Sequence, residues 1–462
     1  MVQTIIRELG DDLILRRSSA ADAAKLVDFL GNLHREPGAE GPEEHVAAWV
    51  GELMSGDHPT FDVGDFTIVE DTGTGAIVSC LCLISQTWSY GGVQFGMGRP
   101  ELVGTHPDYR NRGLIRAQFD VIHGWSAERG EMLQAITGIP WFYRQFGYEM
   151  AITLGGRRMG YKRQVPKLKD GEEEPYCIRP ATEADLPFIA QLHEQGTSRY
   201  PVACVWDEAL WRYELDGKSE KSYDRRSLAA IETPPGEPVG FLAHSPRLRD
   251  GHVSAASYEI KPGVSWLAVT PSVVRYLWAL GEEWAAQDPK QEMDRFAFWL
   301  GAEHPVYQVF DKRLPHTIGP YAWFVRVPDL PGFLLHVAPV LEQRLESSPL
   351  VGHTGEIKIN FYRSGLRLAF EGGRLAVVEP WQPTPEQEGD AGFPDLTFLQ
   401  LLFGYRSMDE LDYAFADCWA SDDKARPLFD ACLLYTSPSP RDRSAYLVCR
   451  LLLEKGGGGG GG

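Results

Sequence analysis

Apolar residues recur at helical spacing near the start of the chain and at alternate positions in later stretches. Ser19 can cap a first helix, whose inward face carries apolar residues three and four positions apart, at Ala23, Leu26, Val27, Leu30 and Leu33. A second helix is predicted over 43–54. Runs of apolar and β-branched residues predict strands at 13–16, 66–70 and 76–85. This mixture of helices and strands indicates an α/β (α+β) protein.

The most informative stretch begins with a long strand predicted over 93–105. Pro100 lies inside that strand, and because proline cannot donate a ladder hydrogen bond, it predicts a bulge or a splayed strand. His106, Pro107 and Asp108 then break the strand. A helix follows, and its inward face is formed by Leu114, Ala117, Val121, Ile122 and Trp125.

The turn between that strand and that helix carries residues suited to binding a phosphate group. Arg110 and Arg112 supply positive charge, and Gly113 lets a ligand approach the backbone. The first helical turn offers N–H groups that have no partner within the helix. The pattern is loose, and a solvated helix start is the alternative interpretation. The context favours a ligand site, because a strand at 132–136 and a short helical segment closed by Gly147 come next.

Two segments carry a resemblance to a known family: Arg110-x-x-Gly113-x-Ile115 and Phe142-Tyr143-Arg144-x-Phe146-Gly147-Tyr148. The first resembles the acetyl-CoA pyrophosphate loop of the GCN5-related N-acetyltransferases (GNAT). The second is similar to a segment of the bacterial branch typified by the enhanced intracellular survival acetyltransferases. The resemblance covers most of the chain. It implies two tandem GNAT-like mixed-sheet folds followed by a sterol-carrier-like α+β domain.

A repeat near the middle of the chain supports two copies of one fold. The strand that ends near Arg16 and is followed by Asp22 is echoed by a strand that ends at Arg179 and is followed by Asp185. The second copy has no Arg-x-x-Gly turn after a strand, so we expect it to be structural. Further on, a helix is predicted over 330–345 and alternating strands follow it.

The 462 residues suggest roughly three domains at about 150 residues each. The predicted division is 1–160 for a catalytic GNAT domain, 161–175 for a linker, 176–325 for a degenerate second GNAT-like domain, 326–431 for the sterol-carrier-like domain and 432–462 for a tail. The tail resembles a translated adapter sequence and ends in polyglycine, so we expect it to be non-native and disordered.

Composition and charge exclude several classes of protein. A net charge of −19 argues against nucleic acid as a partner. No apolar run is long enough to span a membrane, and the N-terminus lacks a signal-peptide pattern, so we expect a cytoplasmic protein. The seven cysteines include no Cys-x-x-Cys pair and form no group with metal-ligand spacing. We therefore expect reduced thiols and no bound metal.

The resemblance implies acetyl-CoA as the acyl donor and assigns residues to its binding. The pyrophosphate would be held at Arg110, Arg112, Gly113, Leu114 and Ile115, and the pantetheine arm would pair with the backbone of Leu102, Val103 and Gly104. Tyr143 matches the tyrosine that acts as general acid in the family, and a packed aromatic residue is the alternative interpretation. Trp88, Tyr90 and Glu101 are predicted to line the acceptor pocket.

The general base has two candidates. In the resembled branch the chain's own terminal carboxylate serves as the base, and here the tail is expected to replace it; His106 is the alternative. The acceptor is expected to be a primary amine of a cationic molecule with several amines: an aminoglycoside, a polyamine or a lysine side chain. The competing function is a non-catalytic acyl-CoA or lipid-binding module. The resemblance also implies a homo-oligomer, namely a hexamer.

Overall fold

Three β-sheets with helices packed against them form the molecule. The computed structural model describes residues 5–35, 38, 40–139, 141–154, 156–319 and 321–433. The predicted fold class, an α/β protein built on several mixed sheets, is confirmed. Elements are numbered below in chain order.

The first sheet has the order β1-β2-β3-β4-β5-β6-β16-β7, and β10 pairs with the far end of β4. Its strands are β1 (Ile5–Gly10), β2 (Leu13–Arg17), β3 (Phe66–Asp71), β4 (Ala76–Tyr90), β5 (Val93–Thr105), β6 (Leu133–Ile136), β7 (Glu149–Leu154), β10 (Val202–Val205) and β16 (Tyr321–Arg326). Helices α1 (Ala23–Leu33) and α2 (Glu44–Leu53) cover one face, and α3 (Leu114–Glu128) covers the other. The β5–β6 pair is parallel.

The second sheet has the order β15-β8-β14-β13-β12-β11-β9 and contains a parallel pair of its own, β13 with β14. Its strands are β8 (Arg157–Tyr161), β9 (Cys177–Pro180), β11 (Ser227–Glu232), β12 (Pro238–His244), β13 (His252–Ile260), β14 (Arg295–Phe298) and β15 (His316–Ile318). Its helices are α4 (Leu186–Thr197), α5 (Glu208–Arg212), α6 (Trp266–Gln287) and α7 (Val306–Phe310).

The two folds exchange strands. β16, which comes late in the chain, lies between β6 and β7 of the first sheet. β8, which comes directly after β7, lies between β14 and β15 of the second sheet. The first sheet thus takes β10 and β16 from the later part of the chain, and the second sheet takes β8 from the earlier part. The predicted division at 160 and 325 stays a prediction, and a cut at either number separates strands from the sheet to which they pair.

The third unit is a five-stranded sheet with the order β19-β18-β17-β20-β21. Its strands are β17 (Gly355–Asn360), β18 (Gly365–Glu371), β19 (Arg374–Trp381), β20 (Ala391–Gly392) and β21 (Trp419–Ala420), and its helices are α8 (Leu330–His336), α9 (Ala338–Glu346), α10 (Phe398–Leu402), α11 (Met408–Ala414) and α12 (Ala425–Cys432). The segment predicted to be helical over 330–345 is helical in two parts, α8 and α9, which are divided at Val337, two residues before Pro339. A proline near the start of α9 is compatible with a helix beginning there.

One apolar core joins the third unit to the first fold. It contains residues of β4, β5 and β16 together with residues of α8, α9 and the third sheet, such as Trp88, Phe95, Trp323 and Phe333. Cys432 and Leu433 belong to this core, with exposures of 3% and 5%. The tail predicted from 432 therefore includes two packed residues, which is a correction, and 434–462 lie outside the described residues.

Candidate active site

A bulge interrupts β5 at the place where the sequence predicts an irregular strand. Cys82 pairs with Glu101, but Cys80 pairs with Gly104, so β5 has one residue more than β4 across this interval. Leu102 takes up the extra length at a φ of 53°. Pro100 itself pairs in register with Leu83, so the bulge begins just after the proline. A bulge re-aims the backbone groups of the strand that carries it.

The same segment of β5 borders an opening in the sheet. β5 and β6 pair at Met97 with Leu133 and at Gly98 with Gln134. Beyond these pairs, within the described residues, 99–105 of β5 pair with β4 alone. The backbone of Leu102, Val103 and Gly104 therefore lies along an unpaired strand edge, which an extended ligand can join by main-chain hydrogen bonds.

The turn that follows β5 ends at the N-terminus of α3. Asn111 and Gly113 have left-handed φ values of 62° and 74°, and α3 begins at Leu114. No atom lies within 4 Å of the position that a Cβ of Gly113 would take, so the glycine is needed for its conformation rather than for space. Leu114 is buried and anchors this end of the helix, while Ile115 is half-buried. The first N–H groups of α3 are available to an anion.

The two arginines of the turn have different partners. Arg112 donates from Nη2 to Asp11 Oδ2 at 2.7 Å and lies over the ring of Tyr109. Arg110 donates from Nε to the Thr105 carbonyl at 3.4 Å and is exposed. Ion pairs at the surface contribute little to stability, so these guanidinium groups can turn towards a phosphate at small cost.

A buried glutamine fastens α3 to the sheet, and the sequence analysis did not single it out. Gln118 donates from Nε2 to Ser79 Oγ at 2.7 Å and accepts from Thr67 Oγ1 at 3.0 Å. Its side chain is inaccessible to solvent. The sequence feature that could have identified Gln118 is a polar residue at an inward position between Leu114 and Ile122. Buried polar groups in proteins are nearly always paired, and here the pairing fixes where the helix N-terminus lies relative to β4.

Tyr143 lies on a short 3-10 helix, Phe142–Phe146, that Gly147 ends at a φ of 85°. The side chain is 3% exposed and packs edge-on against Phe119, Phe142 and Phe324. A Cβ built on Gly138 would lie 3.1 Å from Tyr143 Oη. Gly138 is therefore a close neighbour of the hydroxyl, and the absence of a side chain there leaves the hydroxyl its space.

A histidine beside this segment also lacked a sequence prediction. His123 on α3 lies 2.9 Å from the Tyr148 hydroxyl. Burial, helped by the charge of Arg326, lowers the pKa of His123 to about 4. Burial also raises the pKa of Tyr148. Both groups are neutral at pH 7, and they form a neutral hydrogen bond that holds β7 against α3.

The residues predicted to line an acceptor pocket lie in two different places. Trp88 is buried and donates from Nε1 to Gln86 Oε1 at 3.2 Å. Tyr90 is buried and donates to the Leu402 carbonyl at 2.9 Å, which ties the first fold to the third unit. Both side chains are core residues in this structure, and their contact with an acceptor stays a prediction.

Glu101 lies at the bulge and forms a buried ion pair. Its Oε1 accepts from Arg99 Nε at 3.0 Å, and both side chains are 2% exposed. Glu101 pairs across the sheet with Cys82, and Arg99 pairs with Ile84, which places them on the face covered by α1 and α2. Tyr143 packs with Leu81 and Phe119 on the opposite face.

A cavity next to Arg99 separates the first fold from the second. It is lined by Trp49, His58, Thr60, Ile84, Gln86 and Arg99 of the first fold and by Cys204, Trp206, Leu210, Tyr213, Glu214, Lys218 and Asp224 from the chain that follows. Burial, helped by the charge of Lys218, lowers the pKa of His58 to about 4. The site thus has two sides, with a cofactor-like groove at the turn and a polar cavity at the fold interface.

His106, the alternative base, lies at the surface. Its Nδ1 accepts from the backbone N–H of Asp108 at 3.3 Å, and its side chain is 49% exposed. The terminal carboxylate lies outside the described residues. The structure therefore identifies no base by position, and His106 stays a prediction.

Residues 34–151 match the model of the acetyltransferase (GNAT) domain family. This stretch is similar to a GNAT acetyltransferase domain and is called the GNAT domain for that similarity. It includes the bulged strand, the turn at Gly113, α3 and the segment that carries Tyr143. No curated protein matches the sequence of this chain.

Solved structures share the fold over most of the chain, including the parts beyond the GNAT domain. A probable N-acyltransferase of unknown function from Enterococcus faecalis V583 is 14% identical and has a TM-score of 0.64, with 93% of this chain and 99% of that chain covered. A GCN5-related N-acetyltransferase from Anabaena variabilis is 13% identical, with a TM-score of 0.62 and coverages of 93% and 99%. Eis1 from Mycobacterium abscessus is 14% identical, with a TM-score of 0.60 and coverages of 93% and 100%. Such low identities establish the fold alone.

Within the described part of the chain, none of the helices combines the length and the apolar content that a membrane crossing requires.

Proposed function

We propose that this protein is an N-acetyltransferase that moves an acetyl group from acetyl-CoA to a primary amine. The observation that carries the proposal is the alignment of three features along one stretch of chain. The unpaired edge of β5, the left-handed turn at Gly113 and the N-terminus of α3 follow one another without interruption. An extended arm ending in a pyrophosphate fits this sequence of features.

Each feature has a part in holding the donor. The backbone of Leu102, Val103 and Gly104 would pair with the amide groups of the pantetheine arm. The first N–H groups of α3, at Leu114 and Ile115, would bind the pyrophosphate, and the guanidinium groups of Arg110 and Arg112 would add charge-assisted hydrogen bonds. The thioester would then lie near the bulge, at the opening beside Gly98.

The chemistry is a direct transfer within a ternary complex. The nitrogen of the neutral amine attacks the thioester carbonyl carbon, a C–N bond forms, and the C–S bond breaks. The departing thiolate takes a proton, which the Tyr143 hydroxyl would supply. The proton released by the amine would go to a base, for which the terminal carboxylate and His106 are the candidates. Holding the two reactants side by side supplies the effective concentration that the reaction needs.

Tyr143 and Glu101 lie on opposite faces of the first sheet, which suits this reaction. The opening where the β5–β6 pairing ends at Gly98 would connect the two faces. An acceptor that enters from the Glu101 side can reach the carbonyl carbon while the sulfur faces Tyr143. No residue of the chain needs to form a covalent bond.

Replacement of Tyr143 by Phe tests the proposal. We expect acetyl-CoA binding to persist and amine-dependent thiol release to fall about a hundredfold, since a positioned acid contributes about 10²–10⁴-fold. Thiol release from acetyl-CoA is measured with a panel of linear amines, aminoglycosides and lysine peptides. Tyr258→Phe is the matched control, because it removes a buried hydroxyl from the second fold.

Two results would contradict the proposal. If Tyr143→Phe turns over as fast as the unchanged chain, Tyr143 is not the acid. If acetyl-CoA binds but no amine releases thiol, the chain is the acyl-CoA-binding module that competes with the enzyme.

We also propose the organisation that the sequence predicts for the rest of the chain. The fold over 176–325 would be structural, the unit over 326–431 would be sterol-carrier-like, and the protein would form a homo-oligomer. Analytical ultracentrifugation tests the last of these, and a monomer at micromolar concentration would exclude it.

A further inference from the structure

Asp224 has a buried carboxylate oxygen with no hydrogen-bond partner in the part of the chain that the structure describes. The residue is 7% exposed. Its Oδ2 accepts from Lys218 Nζ at 2.9 Å, but its Oδ1 accepts no hydrogen bond. An unpaired buried acceptor costs about 1–3 kcal/mol. Such an atom calls for a donor that the protein itself does not supply.

The unpaired oxygen belongs to a residue that lines the cavity between the two folds. Trp49, Thr60 and Arg99 line the cavity from the GNAT domain, and Glu214 and Asp224 line it from the second fold. Glu214 comes from Tyr213–Gly217, a π-helical turn. Such turns are frequent at functional sites. The cavity also adjoins the bulge through Arg99, whose partner Glu101 lies at the start of that bulge.

The charges around Asp224 balance, since Arg99, Lys218 and Arg226 are opposed by the carboxylates of Glu101, Glu214 and Asp224. Arg99 is paired with Glu101, and Lys218 lies between Glu214 at 2.5 Å and Asp224 at 2.9 Å. Burial acts to raise the pKa of Asp224, but Lys218, Arg99 and Arg226 outweigh it and hold that pKa below its usual value. Asp224 is therefore ionised at pH 7.

The cavity is also small, which limits the ligand. Its volume is about 40 Å³. A site that holds one water needs about 10–15 Å³ on the same measure. Such a space has room for a slim alkyl ammonium group.

We propose that this cavity binds the distal ammonium group of a linear diamine or polyamine acceptor, with Asp224 Oδ1 accepting its hydrogen bond. The reacting amine at the other end then lies at the opening beside the bulge. Asp224 is a specificity-determining residue contributed by the second fold. This inference rests on the proposed acetyltransferase function, and it deepens that function by naming the acceptor class.

Binding of 1,4-diaminobutane and of n-butylamine to the full chain tests the proposal, by calorimetry in the presence of CoA. The two probes differ in the second ammonium group. We expect the diamine to bind about tenfold or more tightly than the monoamine, and Asp224→Asn to remove that advantage, because a hydrogen bond to a charged group is lost. Asp216→Asn is the matched control, since Asp216 is exposed on the same segment.

A second variant distinguishes loss of the diamine contact from misfolding, because Asp224→Asn also removes a charge that pairs with Lys218. Thr60→Leu narrows the cavity and leaves that ion pair intact, and we expect it to cause the same loss of diamine binding at an unchanged melting temperature. If both variants bind the diamine like the unchanged chain, the proposal is wrong.

Measuring turnover distinguishes a failure of this cavity proposal from a failure of the proposed acetyltransferase function. Thiol release with aminoglycosides but not with diamines would overturn the cavity proposal and leave the acetyltransferase standing. Diamine binding that depends on Asp224, with no thiol release from any amine, would support the cavity and overturn the acetyltransferase.

Discussion

Gly113 shows how one residue prepares a ligand site. Its φ of 74° belongs to the left-handed region, and it directly precedes the first turn of α3. An alanine there would meet no neighbour within 4 Å, so any effect comes from backbone strain. For a residue with a Cβ, that strain is about 1–2 kcal/mol.

Gly113→Ala should weaken acetyl-CoA binding about five- to thirtyfold, because the strained turn moves the N–H groups that face the pyrophosphate. Calorimetric titration with CoA gives the dissociation constant. Gly124→Ala is the control on the same helix, since Gly124 has an ordinary helical φ and open space around it. It should raise the stability of α3 by about 0.5–1 kcal/mol and leave CoA binding unchanged. Equal effects of the two variants would contradict the assignment.

At the scale of the elements, the same kind of ion pair joins a strand to the helical turn that follows it in both folds. Arg16 pairs with Asp22 at 2.7 Å and with Glu70, and Arg179 pairs with Asp185 at 2.8 Å and with Glu232. In each fold the aspartate also accepts hydrogen bonds from the residue that begins the helical turn, Ser19 or Thr182. The repeat seen in the sequence is therefore a repeated contact between strand and helix.

The second of these pairs predicts a pH dependence. Hydrogen bonds from Arg179 lower the pKa of Asp185 to about 2. Since this folded-state pKa lies below the unfolded value of about 3.9, the stabilisation is complete above pH 4 and is lost as the pH falls through 2. Arg179 is 36% exposed, so we expect only about 1–2 kcal/mol after solvent screening.

Asp185→Asn should therefore lower the melting temperature at pH 7, and the difference from the unchanged chain should shrink below pH 4. Thermal denaturation at a series of pH values measures this difference. Asp216→Asn, at the surface, should show no difference at any pH. A gap between Asp185→Asn and the unchanged chain that is as large at pH 2 as at pH 7 would contradict the assigned pKa.

At the scale of the whole molecule, the exchanged strands bind the two folds to each other. β16 pairs on both sides within the first sheet, and β8 pairs on both sides within the second. The connection through Gly171 is exposed, and Gly171 has a φ of 79°. Cutting the chain there breaks no sheet.

A protease site inserted after Gly171 should be cleaved without separating the folds. Each fragment supplies a strand to the other fragment's sheet, so both should elute together in native gel filtration and separate only in denaturant. The uncut insertion variant serves as the control. Elution of two separate folded fragments would contradict the exchange.

Local patterns in the sequence determined the elements and the chemistry of the turn. The bulge after Pro100, the glycine turn at Gly113 and the helix that follows depend on residues close together in the chain, whose steric limits act wherever the chain folds. The repeat of Arg16 and Asp22 at Arg179 and Asp185 was also visible in the sequence alone.

Only the tertiary structure decided which strands share a sheet and which polar groups meet. The exchange of β8 and β16, the burial of Trp88 and Tyr90 and the cavity that Arg99 and Asp224 both line bring together residues that are far apart in the chain. Their positions depend on long-range packing and pairing, because a strand carries the same alternating pattern whichever neighbour it joins. The sequence by itself determined the groove proposed for the donor, whereas the cavity proposed for the acceptor exists only where the two folds pack together.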